Sequence, residues 1–197
     1  MVNFQQYSIF PLTPDRWGDF QTLFGERGAY SGCWCMYWRI KRSEFNQATR
    51  DERKAAMHAL INQGTMPGIL LYEGSSPIGW CSIGPREDFP PLQRSTTLKP
   101  VDDQEVWSIV CFFINKKQRR QGMMTRLICG AIDFAQSQGA KIIEAYPTDM
   151  QTPDLENKNL TGYHGFMGIA SAFRKIGFKE VGRASNHQLI MRYVISD

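Results

Sequence analysis

The residues best suited to chemistry in this chain are Gln-Arg-Arg-Gln-Gly-Met-Met-Thr at positions 118–125. They lie between a strand pattern and a helix pattern, and a helix N-terminus presents unpaired N–H groups and the positive end of the backbone dipole. Gly122 has no Cβ to keep a ligand away from those amides. Arg119 and Arg120 add charge and paired donors for phosphate oxygens. The segment predicts a diphosphate-binding turn; the alternative is a basic connection between strand and helix.

The elements on either side of this segment predict a β-loop-α-β unit. Residues 106–114 are almost all apolar, as expected for a strand that is buried on both faces. From 124 to 139 apolar side chains recur every three or four positions, which indicates an amphipathic helix. Residues 141–146 return to strand character, and a right-handed crossover makes the two strands parallel.

The rest of the chain predicts five further strands and three further helices around this unit. Thr49 and Glu52 have the spacing of a capping box at one helix start. Residues 32–39 show no period, and 85–103 read as a long surface loop. The strands are expected over 7–12, 68–72, 78–83, 178–181 and 188–195, and the helices over 17–24, 50–63 and 169–176.

Composition and charge exclude several classes of function. A chain of 197 residues, 42% of them hydrophobic, can bury one core, which predicts a single domain over 1–197. The net charge of +4 is dispersed, without the basic stripe of nucleic-acid binders, and no apolar run approaches the ~18 residues of a membrane span. The five cysteines lack zinc-ligand spacing, and the first residues do not resemble a signal peptide. We therefore expect a reduced, cytoplasmic protein with no metal, nucleic-acid or membrane partner.

The order of elements and the motif Arg119-x-x-Gly122-x-Met124 resemble the GNAT family of N-acetyltransferases, whose signature is Gln/Arg-x-x-Gly-x-Gly/Ala. Residues 172–178, Ala-Phe-Arg-Lys-Ile-Gly-Phe, resemble the family's late helix, which ends in Gly-Phe. The chain departs from the pattern at Met124, at Arg120, where the family often has glycine, and at Lys116, where it often has proline. The resemblance implies the GNAT α/β fold, a mixed central sheet of about seven strands with two splayed parallel central strands and about four helices.

The resemblance also implies a reaction, the direct transfer of an acetyl group from acetyl-CoA to a primary amine of a small molecule or peptide, with no metal. The CoA-binding core would cover about 105–183 and the acceptor-side helices about 14–64. A homodimer is compatible with this assignment. The splayed strands would admit the pantetheine arm, and the implied cofactor-binding residues are Phe112, Phe113, Ile114, Arg119, Arg120, Gln121, Gly122, Met123, Met124 and Thr125.

The family's usual acid and base positions hold Phe173 and Ser108 here, which are unsuited to those roles. The remaining candidate proton carriers are Tyr146, His164 and Glu105, and the imidazole has the pKa best matched to neutral pH. Each has an ordinary alternative: a packed tyrosine, an exposed histidine and a solvated carboxylate. The substitutions at the acid and base positions also support a second hypothesis, a non-catalytic acyl-CoA-binding or regulatory module of the same fold.

The aromatic segment at 33–39 falls where relatives form one wall of the acceptor site. Its rings could stack on the acceptor, and Arg39 could hold a carboxylate. The alternative is a hydrophobic plug with an arginine whose charged end reaches water. The candidate acceptor-binding residues are Trp34, Tyr37, Trp38 and Arg39, together with Ser108 on the central strand.

Overall fold

The computed structural model describes residues 7–152, 155 and 165–195, which build one seven-stranded sheet. The strands follow the spatial order β1-β2-β3-β4-β5-β7-β6. Their bounds are β1 Tyr7–Pro11, β2 Gly68–Glu73, β3 Ser76–Pro85, β4 Trp107–Ile114, β5 Ile142–Ala145, β6 Lys179–Arg183 and β7 Leu189–Val194.

The sheet is mixed because one crossover connection interrupts an otherwise antiparallel arrangement. Strands β1 to β4 are antiparallel neighbours, β4 and β5 are parallel, and β5, β7 and β6 are again antiparallel. The helix between β4 and β5 carries the chain back to the end of the sheet at which β4 began, as a parallel pair requires. The predicted sheet of about seven strands with a parallel central pair is confirmed.

The four predicted helices are present, and the described residues contain two further short helices that were not predicted. At the start of the third helix the capping box is formed: Thr49 Oγ1 accepts from the Glu52 N–H at 3.3 Å, and the Glu52 carboxylate accepts from the Thr49 N–H at 2.6 Å. The short additions have one turn or little more, too few residues to show a period. Within the part of the chain that the structure describes, the helix bounds are α1 Trp17–Phe24, α2 Arg42–Gln47, α3 Arg50–Asn62, α4 Pro90–Gln93, α5 Met123–Ser137 and α6 Ala170–Ile176.

The parallel strands diverge after a short contact. Pairing of β4 with β5 runs from Trp107 opposite Ile143 to Ile109 opposite Ala145, where β5 ends. On its other side β4 has a bulge at Val110, since Ser82 faces Cys111 while Ile83 faces Ile109. A bulge bends its strand. The C-terminal half of β4 therefore extends past β5, and the predicted splay is confirmed.

Each face of the sheet carries its own apolar cluster. Helices α5 and α6 cover one face, where Leu127, Ile128 and Phe173 are buried. Helices α1 and α3 cover the other around Phe20 and Trp80, which are fully buried. None of the helices in the described ranges is both long and apolar enough to span a membrane.

The segment at 85–103, predicted as a long surface loop, has many exposed residues but is buried in part. Phe89, Leu92 and Leu98 are buried, and the buried Arg86 guanidinium donates to the carbonyl oxygens of Leu92 and Leu98. The segment therefore closes a third apolar cluster, beside Val110 and Tyr146. Its apolar residues are spaced irregularly among prolines and charges, so no period indicated burial.

Candidate active site

The turn before α5 has the geometry that a diphosphate requires. Gly122 is the N-cap residue of α5 and has φ 79°, a left-handed conformation that favours glycine. A Cβ built at Gly122 meets no described atom within 4 Å, and the first turn of α5 contains no acidic residue. The N–H groups that open a helix have no acceptor within it, so those of Met123, Met124 and Thr125 are available to a ligand at the start of α5. The residues present fit an anionic ligand.

The loop that leads into the turn is held by its own polar side chains. Asn115 Oδ1 accepts from the Lys117 N–H at 3.1 Å, and Gln121 Nε2 donates to the Lys117 carbonyl at 2.8 Å. Arg119 Nε donates to the Ile114 carbonyl at 3.0 Å. Arg120 is exposed and has φ 63°, also left-handed. This backbone explains why glycine suits the position of Arg120, and it means that the arginine is present at a conformational cost.

The divergent end of β4 is contacted by the segment that precedes α6. The Phe112 N–H donates to the Phe166 carbonyl at 2.6 Å. The same segment pairs with residue Thr148 beyond the end of β5, since Thr148 N–H donates to the Gly168 carbonyl at 3.0 Å. A ligand that extends along β4 at Phe112 has to exchange the hydrogen bond to Phe166 for its own.

Tyr146 and Ser108 lie together in the interior. Both are fully buried, and their hydroxyl oxygens are 2.9 Å apart. The Tyr146 hydroxyl donates to Glu144 Oε1 at 2.7 Å. Burial, followed by the adjacent Glu144 charge, raises the pKa of Tyr146 well above its ordinary value. The phenol is thereby held in its protonated form.

A buried ion-pair network surrounds these two hydroxyl groups and was missed by the sequence reasoning. Glu144, fully buried on β5, accepts from Arg86 at 2.9 Å and from Arg192 at 2.8 Å. Arg192 also pairs with Asp102 at 2.7 Å, and this contact lowers the pKa of Asp102 to about 2. One signal was available, because a glutamate inside a buried strand requires a cationic partner.

Of the other two candidate proton carriers, the structure describes Glu105, which is not brought to this position. Glu105 is exposed and precedes β4. His164 lies outside the described residues.

The aromatic segment at 33–39 divides between core and cleft. Trp34 is 2% exposed and stacks on Phe24 with ring centroids 5.7 Å apart. Arg39 is buried, donates to the Pro67 carbonyl at 2.6 Å and stacks over Phe89. Burial lowers the pKa of Arg39. Trp34 therefore fits the hydrophobic-plug alternative, whereas the guanidinium of Arg39 is buried against backbone carbonyls and does not reach water as that alternative expects.

Tyr37 and Trp38 reach towards the divergent end of β4. The Tyr37 ring lies 6.0 Å from that of Phe166 and 5.3 Å from that of Trp38, edge to face in both cases. Trp38 packs with Tyr146 and Val110 in the third apolar cluster. Of the four predicted acceptor residues in the aromatic segment, these two are placed beside β4.

All five cysteines are free. Cys35 Sγ accepts from Trp80 Nε1 at 3.1 Å. A hydrogen bond from the Cys111 thiol is the largest cause that lowers the pKa of Cys35, to about 7, and the same contact raises the pKa of Cys111 well above its ordinary value. Among the described residues there is no group of three His, Cys, Asp or Glu side chains placed to hold a metal ion.

A protein-family model matches more than half of this chain. The model of the acetyltransferase (GNAT) family matches residues 31–166. Comparison with curated protein sequences finds no match.

Three solved structures illustrate the structural similarity. YncA from Salmonella typhimurium, with its cofactor acetyl-CoA, is 13% identical at TM-score 0.53, over 98% of this chain and 96% of its own. PaiA N-acetyltransferase from Thermoplasma acidophilum, in complex with coenzyme A, is 13% identical at TM-score 0.53, over 97% and 100%. Ribosomal-protein-S5-alanine acetyltransferase from Vibrio fischeri is 13% identical at TM-score 0.53, over 100% and 97%. At this identity the similarity demonstrates a shared fold.

Proposed function

The chain belongs to the GNAT family of acetyltransferases, and on that premise we propose that it transfers an acetyl group from acetyl-CoA directly to a primary amine of a small molecule or peptide. The chain would form one domain over 1–197. Residues of about 105–183 would bind the acetyl-CoA donor, and the helices of about 14–64 would form the acceptor side.

The observation that carries this proposal is the open, left-handed N-cap at Gly122. The amides of Met123, Met124 and Thr125 would donate to the diphosphate, with Arg119, Arg120 and Gln121 around it. Because the space beside Gly122 is free of protein atoms in the described structure, the ligand oxygens can approach the backbone closely. Phe112, Phe113 and Ile114 would then bind the pantetheine arm along the part of β4 that β5 does not cover.

The acyl group would lie near the Phe112 N–H once the Phe166 carbonyl has released it. The neutral amine attacks the thioester carbonyl carbon, the oxyanion accepts a hydrogen bond from that amide, and the C–S bond then breaks. The departing thiolate takes a proton, and the new amide nitrogen loses one, so one proton is moved from amine to thiol overall. No covalent enzyme intermediate is required.

Three residues remain candidates for moving that proton, Tyr146, His164 and Glu105. The Tyr146 hydroxyl donates its proton in a hydrogen bond to Glu144, and its pKa is raised, so it is best suited to orient neighbouring groups. The ordinary pKa of a histidine is better suited to proton transfer near neutral pH, which favours His164. The variants Tyr146→Phe, His164→Gln and Glu105→Gln test these candidates. A proton carrier loses kcat and changes the pH profile while the KM for acetyl-CoA is retained.

A second function is favoured by the buried residues at the family's acid and base positions. Phe173 and Ser108 are both fully buried. A module that binds acyl-CoA without turnover would tolerate them.

Melting in the presence of acetyl-CoA, combined with thiol release over a panel of amines, separates these functions. We expect thermal stabilisation by acetyl-CoA and thiol release with at least one amine. Stabilisation without turnover would support the non-catalytic module, and no stabilisation would contradict both.

A further inference from the structure

A pocket of about 360 Å³ lies between the aromatic segment and α4. Trp38 and Pro90 provide apolar walls, and Lys41, Arg42 and Arg94 bring three cations to its rim. None of the residues that line it in the described structure is acidic. A concave site with apolar walls and a few converging polar groups is the usual form of a small-molecule site.

Two of the residues that line this pocket carry a buried donor that lacks an acceptor in the described structure. Trp38 is 9% exposed, and in the described part of the chain its Nε1–H has no hydrogen-bond partner. Arg42 Nη1 is buried and likewise unpartnered among the described residues. Burying an N–H group without an acceptor is costly, so such groups are expected to be satisfied by a ligand or water. Both atoms are closed off from solvent, so an anion in the pocket would reach them after a small shift of the two side chains.

The charge of Arg42 is oriented by stacking and is not neutralised by a described carboxylate. Its guanidinium carbon lies 3.4 Å from the centre of the Tyr37 ring and 5.9 Å from that of Trp38. Lys41 has a partner, Glu44 at 3.6 Å, but both side chains are about half exposed. A stacked guanidinium keeps its in-plane N–H groups available, which suits recognition of carboxylate or phosphate.

The pocket is joined to the proposed acyl position by two aromatic residues. Tyr37 contacts Arg42 on one side and Phe166 on the other, and the Phe166 carbonyl accepts from the Phe112 N–H. Tyr37 therefore lies between a residue of the pocket and the segment that contacts β4 at Phe112.

We propose that the pocket of Trp38, Lys41, Arg42 and Arg94 binds an oxyanion, the carboxylate or phosphate group of the acceptor, and so selects an anionic small-molecule amine. The identity of the anion's carrier rests on the proposed acetyl transfer. The affinity of the pocket for an oxyanion does not.

The first experiment observes the indole N–H directly. The protein has five tryptophans, so ¹⁵N-labelled indoles give few resonances, and Trp38→Phe assigns the one of interest. It is titrated with inorganic phosphate and with succinate, against chloride at equal ionic strength. We expect a saturable shift of the Trp38 resonance with at least one oxyanion and none with chloride. No saturable shift with either oxyanion would overturn the proposal.

Arg42→Gln should weaken that binding by about tenfold or more, since it removes a charge-assisted donor. Arg16→Gln is the matched control, because Arg16 also stacks on an aromatic ring, at 4.6 Å from the centre of Phe10, and Phe10 lies on the edge strand β1. The control should leave the titration unchanged. Equal effects of the two substitutions would assign the shift to general electrostatics and overturn the site.

Kinetics with matched amines identify the carrier. 4-Aminobutanoate is compared with butylamine, and phosphoethanolamine with ethanolamine, so the arms separate carboxylate from phosphate. We expect a lower KM for at least one anionic member, and Arg42→Gln should raise that KM while leaving the neutral member's KM unchanged. Equal KM values within both pairs would overturn the assignment to the acceptor. If no amine in a wider panel is acetylated, the proposed transfer fails, and the indole titration alone decides the anion site.

Discussion

Two left-handed residues, Arg120 and Gly122, shape the turn before α5. At Gly122 the sequence meets the conformational requirement, and at Arg120 it does not. An arginine at φ 63° is strained by about 1–2 kcal/mol relative to an ordinary conformation. The strain at Arg120 is offset in the complex if its guanidinium contributes to binding the diphosphate.

Arg120→Gly should therefore stabilise the fold and weaken the donor complex. Release of the strain exceeds the extra chain entropy of glycine, so we expect a gain of up to about 1 kcal/mol in the free energy of unfolding. Denaturant unfolding of the ligand-free protein measures it. Arg119→Gly is the control, because Arg119 has φ −70° and its replacement by glycine should destabilise. A stability of Arg120→Gly no higher than that of the control would contradict the strain.

At the scale of elements, the Glu144 network joins parts of the chain that are far apart in sequence. Glu144 on β5 binds Arg86 from the 85–103 segment and Arg192 from β7, and Arg192 continues to Asp102. The network fixes the 85–103 segment over the ends of the central strands. The proposed oxyanion pocket depends on it, because α4 forms one of its walls.

Glu144→Gln should destabilise the protein by about 3–5 kcal/mol, since it leaves the buried Arg86 without its counter-charge and leaves Arg192 paired with Asp102 alone. Glu180→Gln provides the control: it removes a carboxylate whose ion pair with Arg183 is well exposed, and it should cost less than about 1 kcal/mol. Denaturant midpoints compare the two. Similar losses would mean that the interior pair contributes no more than the surface pair.

A second ion pair links the segment after β5 to α6. Asp149 pairs with Arg174 at 2.9 Å, and the hydrogen bond from Arg174 lowers the pKa of Asp149 below its ordinary 3.8. A lowered pKa stabilises the fold above the unfolded value, and this contribution is lost as pH falls through the folded value.

Asp149→Asn should consequently be less stable than the wild type by on the order of 1 kcal/mol at pH 7. The difference should persist down to about pH 5 and shrink below pH 3.8. Urea unfolding at a series of pH values follows it, with Arg174→Gln as the reciprocal variant. A difference that grows as the solution is acidified would refute the assignment.

At the scale of the whole molecule, the parts predictable from sequence are those with a local signal. The apolar run of β4, the helical period of α5 and Gly122 between them are contiguous, so their patterns show without knowledge of the fold. The resemblance at 119–124 and 172–178 then implied a mixed sheet of about seven strands with two splayed parallel central strands.

The parts that escaped prediction depend on distant partners. Arg86 and Glu144 are separated by 58 positions, and nothing near either residue indicates the other. The contact of the Phe112 amide with the Phe166 carbonyl is a backbone interaction, independent of side-chain type. Arg39 was predicted to hold a carboxylate because of its place in an aromatic run, but its burial depends on carbonyl groups from β3 and the residue before β2. The roles of Tyr146, His164 and Glu105 stay predictions.

Calorimetric titration of acetyl-CoA into Gly122→Asp and Gly139→Asp tests most directly whether the amides before α5 bind the donor. The two glycines bracket one helix, have φ 79° and 85°, and both have open space where a Cβ would lie. The substitutions therefore impose similar backbone strain and add the same charge. We predict that Gly139→Asp binds acetyl-CoA like the wild type and that Gly122→Asp binds about 100-fold more weakly or not at all, because its carboxylate faces the diphosphate. Undiminished affinity of folded Gly122→Asp would contradict the account.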